Sequence, residues 1–275
     1  MNPKVTVLIA TYNRSLFIGR AIESVVNQTF KDWELIVADD GSTDSTESVL
    51  KIWQAKDARI KYLKAPHFGR IAKISNFGLK SAKGEYVAIL DDDDWWADPN
   101  KLKKQIEFLD KNPDYVGCGG GFIVTDKNGT EKLRTLKPEK DENIKKKALI
   151  ANPVVNATAV FRRSAAEKIG FYDETMLQFA DWDFWLKLGL VGKLYNFQEY
   201  FTCYRMWEGG MSFSKQKETA VSALRIVKRY KKDYSRFFVA FFLALAYSLY
   251  INLPNPIKNF LNPILSRAKK VIFSK

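Results

Sequence analysis

The sequence predicts an α/β fold in which helices cover both faces of a doubly wound, mainly parallel sheet. Residues 5–10 and 34–38 are nearly continuous apolar runs, as expected of parallel strands that are buried on both faces. Between them, residues 18–26 carry apolar side chains at helical spacing. Because strand and helix patterns keep alternating to about residue 110, a series of βαβ units is the predicted architecture.

The elements that follow each have a local signal. Ser42 opens a run of capping residues before a second helix, and Gly84 closes a third. In order, the predicted elements are a helix that carries Val49 to Trp53, a strand at 60–63, a helix at 71–82, a strand at 86–90 and a helix at about 100–110.

Beyond residue 110 the pattern is less regular. Residues 117–121 are rich in glycine and are expected to form a loop or a strand end. The segment at 126–129 separates two short strand-like runs and predicts a hairpin. Two more elements are predicted, a strand at 154–162 and an amphipathic helix at 181–190.

The net charge of +13 is concentrated at the end of the chain. Residues 1–214 contain 31 Lys and Arg against 29 Asp and Glu, whereas residues 215–275 contain 13 against 2. We therefore predict one folded domain over residues 1–214 and a basic, apolar helical tail over 215–275. The basic residues flank apolar segments, and no nucleic-acid-binding motif is present in the sequence. The expected partner is therefore an anionic membrane surface, and no nucleic-acid partner is expected.

The tail contains an uncharged run at residues 237–257. A membrane-spanning helix needs about 20 apolar residues, and this run reaches that length only by including polar and proline positions from Asn252 to Pro256. Helices that lie in the membrane interface or enter it shallowly are therefore favoured, with a second amphipathic segment at 260–272. A true span and a helix packed on the domain both stay open.

Two further observations concern the compartment. Cys118 and Cys203 lack the number and spacing of a disulfide framework or a metal site, so we predict buried thiols in a reducing compartment. The apolar run after Met1 is too short for an export signal. The folded part is therefore expected on the cytoplasmic face of the membrane, as a peripheral or monotopic protein.

Four consecutive aspartates, residues 91–94, directly follow the strand at 86–90 and precede Trp95 and Trp96. Adjacent carboxylates repel one another, and ligands of open α/β sheets bind at the carboxyl ends of the strands. Mg²⁺ or Mn²⁺ bound together with a diphosphate would neutralise this charge, because hard cations prefer carboxylate oxygens. The alternative is an ordinary solvated acidic loop.

Five segments at strand ends and at one helix start carry a family resemblance. In chain order they are residues 6–14 (TVLIATYNR), 39–44 (DDGSTD), 76–86 (NFGLKSAKGEY), 91–96 (DDDDWW) and 181–186 (DWDFWL). The series resembles family 2 of the inverting, nucleotide-sugar-dependent glycosyltransferases, which have the GT-A fold. The resemblance covers residues 4 to about 214 and identifies the family, without identifying the sugar.

The resemblance implies donor-binding roles for five residues. Thr11 and Tyr12 follow the first strand, and the Tyr12 ring would stack on the nucleotide base. Asp40, beside Asp39, would bond the uracil edge, and Arg70 would contact the base or a phosphate. Asp92 would meet the ribose. For each of these residues, ordinary turn chemistry is the alternative.

The resemblance also implies a metal site and a base. Asp91 and Asp93 would hold the Mn²⁺ or Mg²⁺ on the diphosphate. Asp181 would take the proton from the acceptor hydroxyl as that oxygen attacks the anomeric carbon. The family has a Glu-Asp pair at this helix start where this chain has Ala180 before Asp181, and Asp183 is interpreted as a structural residue.

Three departures from the family pattern bear on these roles. Ile74-Ser75-Asn76 stands where the family often has Ala-Arg-Asn, so Arg70 is the candidate substitute. The family often has a His after the Tyr-Arg at 204–205, whereas this chain has Trp207 nearby, which we interpret as an acceptor-side residue. His67, the only histidine, is expected in a loop near the donor and not as a metal ligand.

The expected function is a metal-dependent inverting transfer of a sugar from a nucleotide diphosphate donor, expected to be a UDP-sugar. The expected acceptor is a hydroxyl of a membrane-proximal glycan or lipid-linked glycan in cell-surface polysaccharide or glycoconjugate synthesis. A sugar-phosphate nucleotidyltransferase is one alternative, although no glycine-rich, basic triphosphate loop follows the first strand. A membrane-bound module with impaired catalysis is another, prompted by Ala180 and Trp207.

Overall fold

The computed structural model describes residues 2–207, 216–254 and 257–258. Its nine strands form one sheet and are, in chain order, β1 (Val5–Thr11), β2 (Trp33–Asp39), β3 (Ile60–Lys64), β4 (Tyr86–Ile89), β5 (Trp95–Trp96), β6 (Tyr115–Thr125), β7 (Glu131–Thr135), β8 (Val160–Arg162) and β9 (Lys193–Arg205). The spatial order is β3-β2-β1-β4-β8-β6-β9-β5, with β7 paired to β6.

Helices lie between most of these strands, and two more follow β9. They are α1 (Ile18–Val26), α2 (Thr46–Lys56), α3 (Ile71–Leu79), α4 (Lys101–Lys111), α5 (Asp141–Lys147), α6 (Arg163–Lys168), α7 (Ala180–Val191), α8 (Gln216–Arg229) and α9 (Phe237–Ile251). A short 3₁₀ turn covers Asn156–Thr158. The strand–helix alternation predicted over residues 5–110 is confirmed, and α3 ends three residues earlier than predicted.

The first half of the sheet is parallel, as the apolar runs predicted. β1 pairs in parallel with β2 on one side and β4 on the other, so the chain order reverses between β1 and β4. Such a switch point opens a crevice at the carboxyl ends of the strands. The second half is mixed, because β8 runs antiparallel to both β4 and β6 while β6 and β9 are parallel.

Two predicted elements in the second half differ from the structure. The glycine-rich residues 117–121 lie inside β6 and form neither a loop nor a strand end. Glycine is needed there for close approach, since a Cβ on Gly120 would lie 2.4 Å from the Phe201 ring. The strand predicted at 154–162 is shorter, because the 3₁₀ turn precedes β8. The long strand β9 had no sequence prediction.

The beginning of the predicted tail packs on the domain. Ala223, Ile226 and Val227 of α8 are buried in the core cluster that also contains Trp185 and Leu188 of α7. The domain boundary at residue 214 stays a prediction from the sequence. In the structure, however, α8 shares the hydrophobic core of residues 1–207.

α9 packs on α8 through small and aliphatic residues and leaves large apolar side chains exposed. Ala240 and Ala244 are buried, whereas Phe238 and Phe242 are 73% and 63% exposed. Over the described part of the chain, no helix has both the length and the apolar character required to cross a membrane. The amphipathic segment predicted at 260–272 lies outside the described residues.

Candidate functional site

A cavity of about 820 Å³ opens at the carboxyl edge of the parallel strands. The sheet register builds it, because the Asp40 amide donates to the Thr11 carbonyl and the Leu90 amide to the Leu8 carbonyl. These bonds bring the ends of β1, β2 and β4 to one edge. All the residues predicted as site residues line this cavity, namely Thr11, Tyr12, Asp40, Arg70, Asp91, Asp92, Asp93 and Asp181.

The aspartate run forms a tight turn whose carboxylates crowd one another. The Asp94 amide donates to the Asp91 carbonyl over 3.2 Å, closing the turn directly after β4. Burial, followed by the charges of Asp93, Asp181 and Asp92, raises the pKa of Asp91 to about 8. The cluster is therefore short of positive charge, and a cation would relieve the repulsion.

Asp92 is the carboxylate of this run that faces the end of β1. Its Oδ1 lies 3.6 Å from Nε of Arg14. Burial and the charge of Asp93 raise the pKa of Asp92 to about 7, while Arg14, the Thr11 hydroxyl and the Tyr12 amide lower it. The sequence assigns Arg14 no role, whereas the structure places its guanidinium against the acidic cluster.

The remaining two aspartates are held by the end of β9. Asp94, 1% exposed, accepts a hydrogen bond from the Arg205 amide over 2.8 Å, and Arg205 Nε donates to the Asp93 carbonyl. Trp207 donates its indole Nε1–H to Asp93 Oδ2 over 2.8 Å. The structure thus places Trp207 directly on an expected metal ligand, a contact that the acceptor-side interpretation did not include.

The donor set fits a divalent cation bound jointly with a diphosphate. Asp91 and Asp93 offer hard oxygen ligands, and Mg²⁺ usually takes one or two carboxylates and completes its shell with phosphates and water. Within residues 2–207, 216–254 and 257–258, no three His, Cys, Asp or Glu side chains converge as a complete metal cage. A cation held here would stabilise the charge of the departing diphosphate.

The expected base-binding wall is formed by Tyr12, His67 and Asp40. The rings of Tyr12 and His67 stack with centroids 4.3 Å apart, and Tyr12 is 37% exposed. Asp40 accepts hydrogen bonds from the Phe68 and Gly69 amides at 2.7 and 2.9 Å, so it orders the loop that carries His67. His67 Nδ1 also lies 3.0 Å from Asp40 Oδ2, so Oδ1, which accepts only the Phe68 amide, is the oxygen with a lone pair for a nucleotide base. The expected place of His67, in a loop at the cavity, agrees with the structure.

Arg70 lies at the start of α3 and faces the same cavity. Among the residues that the structure describes, its guanidinium has no recorded hydrogen-bond or ion-pair partner. A half-buried arginine without a protein partner is suited to bind an anion, since its planar fork matches the oxygens of phosphate. Its predicted role on the donor therefore remains a prediction with a compatible geometry.

Asp181 lies in the first turn of α7 and lines the same cavity as the aspartate turn. Asn152 donates its Nδ2–H to Asp181 Oδ2 over 2.6 Å. Burial raises the pKa of Asp181, while backbone amides at the helix start, Asn152 and the charge of Lys137 lower it. Neither Asn152 nor Lys137 had a sequence signal, because both belong to loops that only the fold brings to Asp181.

Asp183, by contrast, points into the protein. It is fully buried, and its Oδ1 accepts hydrogen bonds from Arg229 at 2.6 Å and from the Tyr230 hydroxyl at 2.9 Å. This pair ties α7 to the end of α8. The structural interpretation of Asp183 is consistent with these contacts.

Comparison of this chain with known protein families identifies its family. The model of glycosyl transferase family 2 matches residues 6–170 of this chain, which include β1 and the aspartate turn. The chain belongs to glycosyltransferase family 2. It is therefore a glycosyltransferase, and the expected family and enzyme class are confirmed.

Relatives and solved structures support the same assignment. A putative glycosyltransferase EpsE of Bacillus subtilis is 33% identical over 221 residues, or 79% of this chain and 77% of that protein. The GalNAc(5)-diNAcBac-PP-undecaprenol beta-1,3-glucosyltransferase of Campylobacter jejuni is 36% identical over 177 residues, or 62% of this chain and 56% of that protein.

Two solved structures share the fold and, together with the family match, confirm the GT-A prediction. The crystal structure of S. aureus TarS 1–349 with UDP-GlcNAc has a TM-score of 0.70 and 20% identity, covering 90% of this chain and 71% of that one. The mannosyltransferase PcManGT from Pyrobaculum calidifontis, with GDP-Man and Mn²⁺, has a TM-score of 0.66 and 16% identity, covering 98% and 81%.

Proposed function

We propose that this glycosyltransferase is a metal-dependent inverting enzyme that moves a sugar from a UDP-sugar to a hydroxyl of a lipid-linked glycan at the cytoplasmic face of a membrane. The observation that carries the proposal is that Asp91, Asp93 and Asp181 line the same cavity. Asp91 and Asp93 can hold a diphosphate through a cation, and Asp181 can receive a proton.

The cavity residues have separate roles in the proposed reaction. Asp181 takes the proton of the acceptor hydroxyl while that oxygen forms a bond to the anomeric carbon. The bond from the anomeric carbon to the diphosphate oxygen breaks, and the nucleoside diphosphate leaves with that electron pair. Arg14 and Arg70, which line the same cavity, add positive charge on the diphosphate side.

The donor proposal has two supports. Tyr12 presents an aromatic ring at the end of β1, and the carboxylate of Asp40 lies on the same wall with lone pairs that can accept from a uracil N–H. TarS, which shares this fold, was crystallised with UDP-GlcNAc, and PcManGT with GDP-Man and Mn²⁺. We therefore propose UDP as the nucleotide and Mn²⁺ or Mg²⁺ as the cation.

The acceptor proposal comes from a relative and from α9. The Campylobacter relative is named for an undecaprenol-linked substrate. In this chain, α9 exposes Phe238, Val239, Phe242 and Leu249. Exposed basic residues precede that helix, namely Lys228, Lys231, Lys232 and Arg236. An apolar face beside basic side chains is complementary to an anionic bilayer, where lipid-linked glycans are held.

The donor proposal is tested with purified full-length protein and a panel of UDP- and GDP-sugars. We expect released UDP, but not GDP, only when Mn²⁺ or Mg²⁺ is added, and none from Asp181→Asn with a glycan acceptor. Release of UDP that does not change with chelator would contradict the metal dependence. Release from GDP-sugars alone would contradict the choice of donor.

The membrane proposal is tested by flotation with vesicles of anionic or zwitterionic lipid. We expect the wild-type protein on anionic vesicles and the Phe238→Ser/Phe242→Ser variant in the soluble fraction. Ile52→Ser/Leu190→Ser, which removes two exposed apolar side chains elsewhere, is the matched control and should float. Wild-type protein that stays soluble and sediments as a dimer would instead assign the α9 face to a second copy.

A further inference from the structure

Two loop segments, residues 137–138 and 152–153, are fastened together beside Asp181. Lys137 Nζ donates to the main-chain carbonyl of Asn152 over 3.1 Å. Asn196, which is fully buried in β9, donates Nδ2–H to the carbonyls of Pro138 and Pro153 at 2.9 and 3.0 Å. We call residues 137–138, 152–153 and Asn196 the clip. A buried amide that holds two carbonyls leaves the loops few alternative positions.

Asn152 connects the clip to Asp181. Its Oδ1 accepts from the Val154 amide at 3.4 Å, which turns the NH₂ group toward the carboxylate, and Nδ2 donates to Asp181 Oδ2 at 2.6 Å. Ala180, the residue before Asp181, has no polar side chain. In the described part of the chain, Asn152 is the one side-chain hydrogen-bond donor recorded for Asp181.

The backbone ahead of Asp181 also requires support. Phe179 adopts φ 60°, ψ 30° immediately before α7, a left-handed conformation that a residue with a Cβ rarely takes. Such strain persists only where surrounding contacts over-determine the conformation. The Gln178 amide donates to Ser222 Oγ of α8, and Asn152 donates to the Asp181 carboxylate. The first contact therefore supports the backbone ahead of Asp181, and the second fixes its carboxylate.

We propose that Asn152 is the positioning residue of the base Asp181, and that Lys137 and Asn196 act by holding Asn152. This inference rests on the proposed function, in which Asp181 receives the acceptor proton. A neutral amide takes no part in proton transfer, so Asn152 acts by fixing the carboxylate and leaving lone pairs for the acceptor hydroxyl. The clip lies outside the donor residues Tyr12 and Asp40, so its effect should be confined to the transfer step.

The test compares kcat with donor binding in the wild type and four variants. Asn152→Ala should lower kcat on the order of 100-fold, because a misplaced base loses near-attack geometry, and should leave the KM for donor and the UDP Kd unchanged. Asn152→Asp has the same size and cannot donate, so it should lose as much or more. Asn152→Gln retains the amide and should recover part of kcat. Asn143→Ala, on the exposed side of α5, is the control and should match the wild type.

Each contrary result has a distinct meaning. A kcat for Asn152→Ala and Asn152→Asp equal to that of the Asn143→Ala control would overturn the positioning role. A parallel fall of Tm, UDP affinity and kcat would show that Asn152 is only structural, which also overturns it. Wild-type protein that neither binds UDP nor transfers sugar would overturn the proposed function itself, and this inference with it.

Discussion

Trp207 holds Asp93 by a hydrogen bond of 2.8 Å from its indole N–H to the Oδ2 of the carboxylate. The indole is in turn packed against Phe17, with ring centroids 5.0 Å apart, and lies beneath the Arg14 guanidinium. An indole can only donate, so it cannot bind a metal. It leaves Oδ1 of Asp93 available and fixes the rotamer in which that oxygen is presented.

The first prediction concerns this pair. Trp207→Phe should weaken Mn²⁺-dependent UDP binding about 10-fold, because a hydrogen bond to a charged group contributes on the order of 1.5 kcal/mol. Asp93→Ala should abolish the Mn²⁺ dependence without lowering Tm, since it removes one charge from a crowded cluster. Calorimetric titration of UDP with and without Mn²⁺ measures both, and Trp53→Phe on α2 is the matched control. An unchanged Mn²⁺ effect in Asp93→Ala would remove Asp93 from the metal site.

The second prediction separates the two aspartates of α7. Asp181→Asn should keep UDP affinity and Tm and lose transfer by roughly 10²–10⁴-fold, as expected when a positioned general base is removed. Asp183→Asn should lower Tm, because the buried carboxylate binds Arg229 and Tyr230. Initial rates, UDP titrations and thermal unfolding of both variants make the comparison. A larger loss of kcat in a fully folded Asp183→Asn would exchange the two roles.

The third prediction concerns α8. A chain that ends at residue 214 loses the helix that buries Ile226 and Val227 and that pairs with Asp183, so it should be unstable. A chain that ends at residue 235 retains α8 and the buried Tyr234, lacks α9, and should stay folded while losing vesicle binding. Thermal unfolding and flotation of the two chains are the measurements. A stable, active 1–214 chain would show that α8 is dispensable for the domain.

The fourth prediction concerns pH and Lys101. This residue is fully buried at the start of α4. Its Nζ donates a hydrogen bond to Gln105 Oε1 over 2.8 Å and lies 4.1 Å from the centre of the Trp96 ring. Burial lowers the pKa of Lys101 from 10.5 to about 7. Between these values the unfolded chain binds a proton that the folded chain does not, so stability should fall as pH falls, by at most about 1.4 kcal/mol per pH unit.

Lys101→Met should therefore stabilise the protein at pH 7. It should also flatten the pH dependence of the free energy of unfolding between pH 7.5 and 9.5, a range of about two pH units that lies between the folded and unfolded pKa values of Lys101. Lys103→Met, on the exposed face of the same helix, is the control and should keep the wild-type slope. Urea unfolding at several pH values measures both. A wild-type slope retained in Lys101→Met would show that another group causes it.

The sequence by itself determined the parallel half of the fold. Apolar runs at β1, β2 and β4 are long enough to be recognised without partners, and polar residues directly after them fall at one sheet edge by the geometry of parallel strands. The aspartate run at residues 91–94 could be found for this reason, whereas the roles of Tyr12, Asp40 and Asp92 came from the family resemblance. Asp181 was found only through the family resemblance.

The tertiary structure decided the second half of the sheet and the surroundings of each carboxylate. Gly120 of β6 leaves the space that the Phe201 ring of β9 occupies, and a requirement set by a residue about 80 positions away leaves no local pattern. The hydrogen bonds from Asn152 to Asp181, from Trp207 to Asp93 and from Arg229 to Asp183 likewise leave no local pattern in the sequence. Hydrogen bonds between segments that are distant in the sequence depend on the final packing. The periodic spacing of apolar residues in a strand or helix, by contrast, is visible in neighbouring residues.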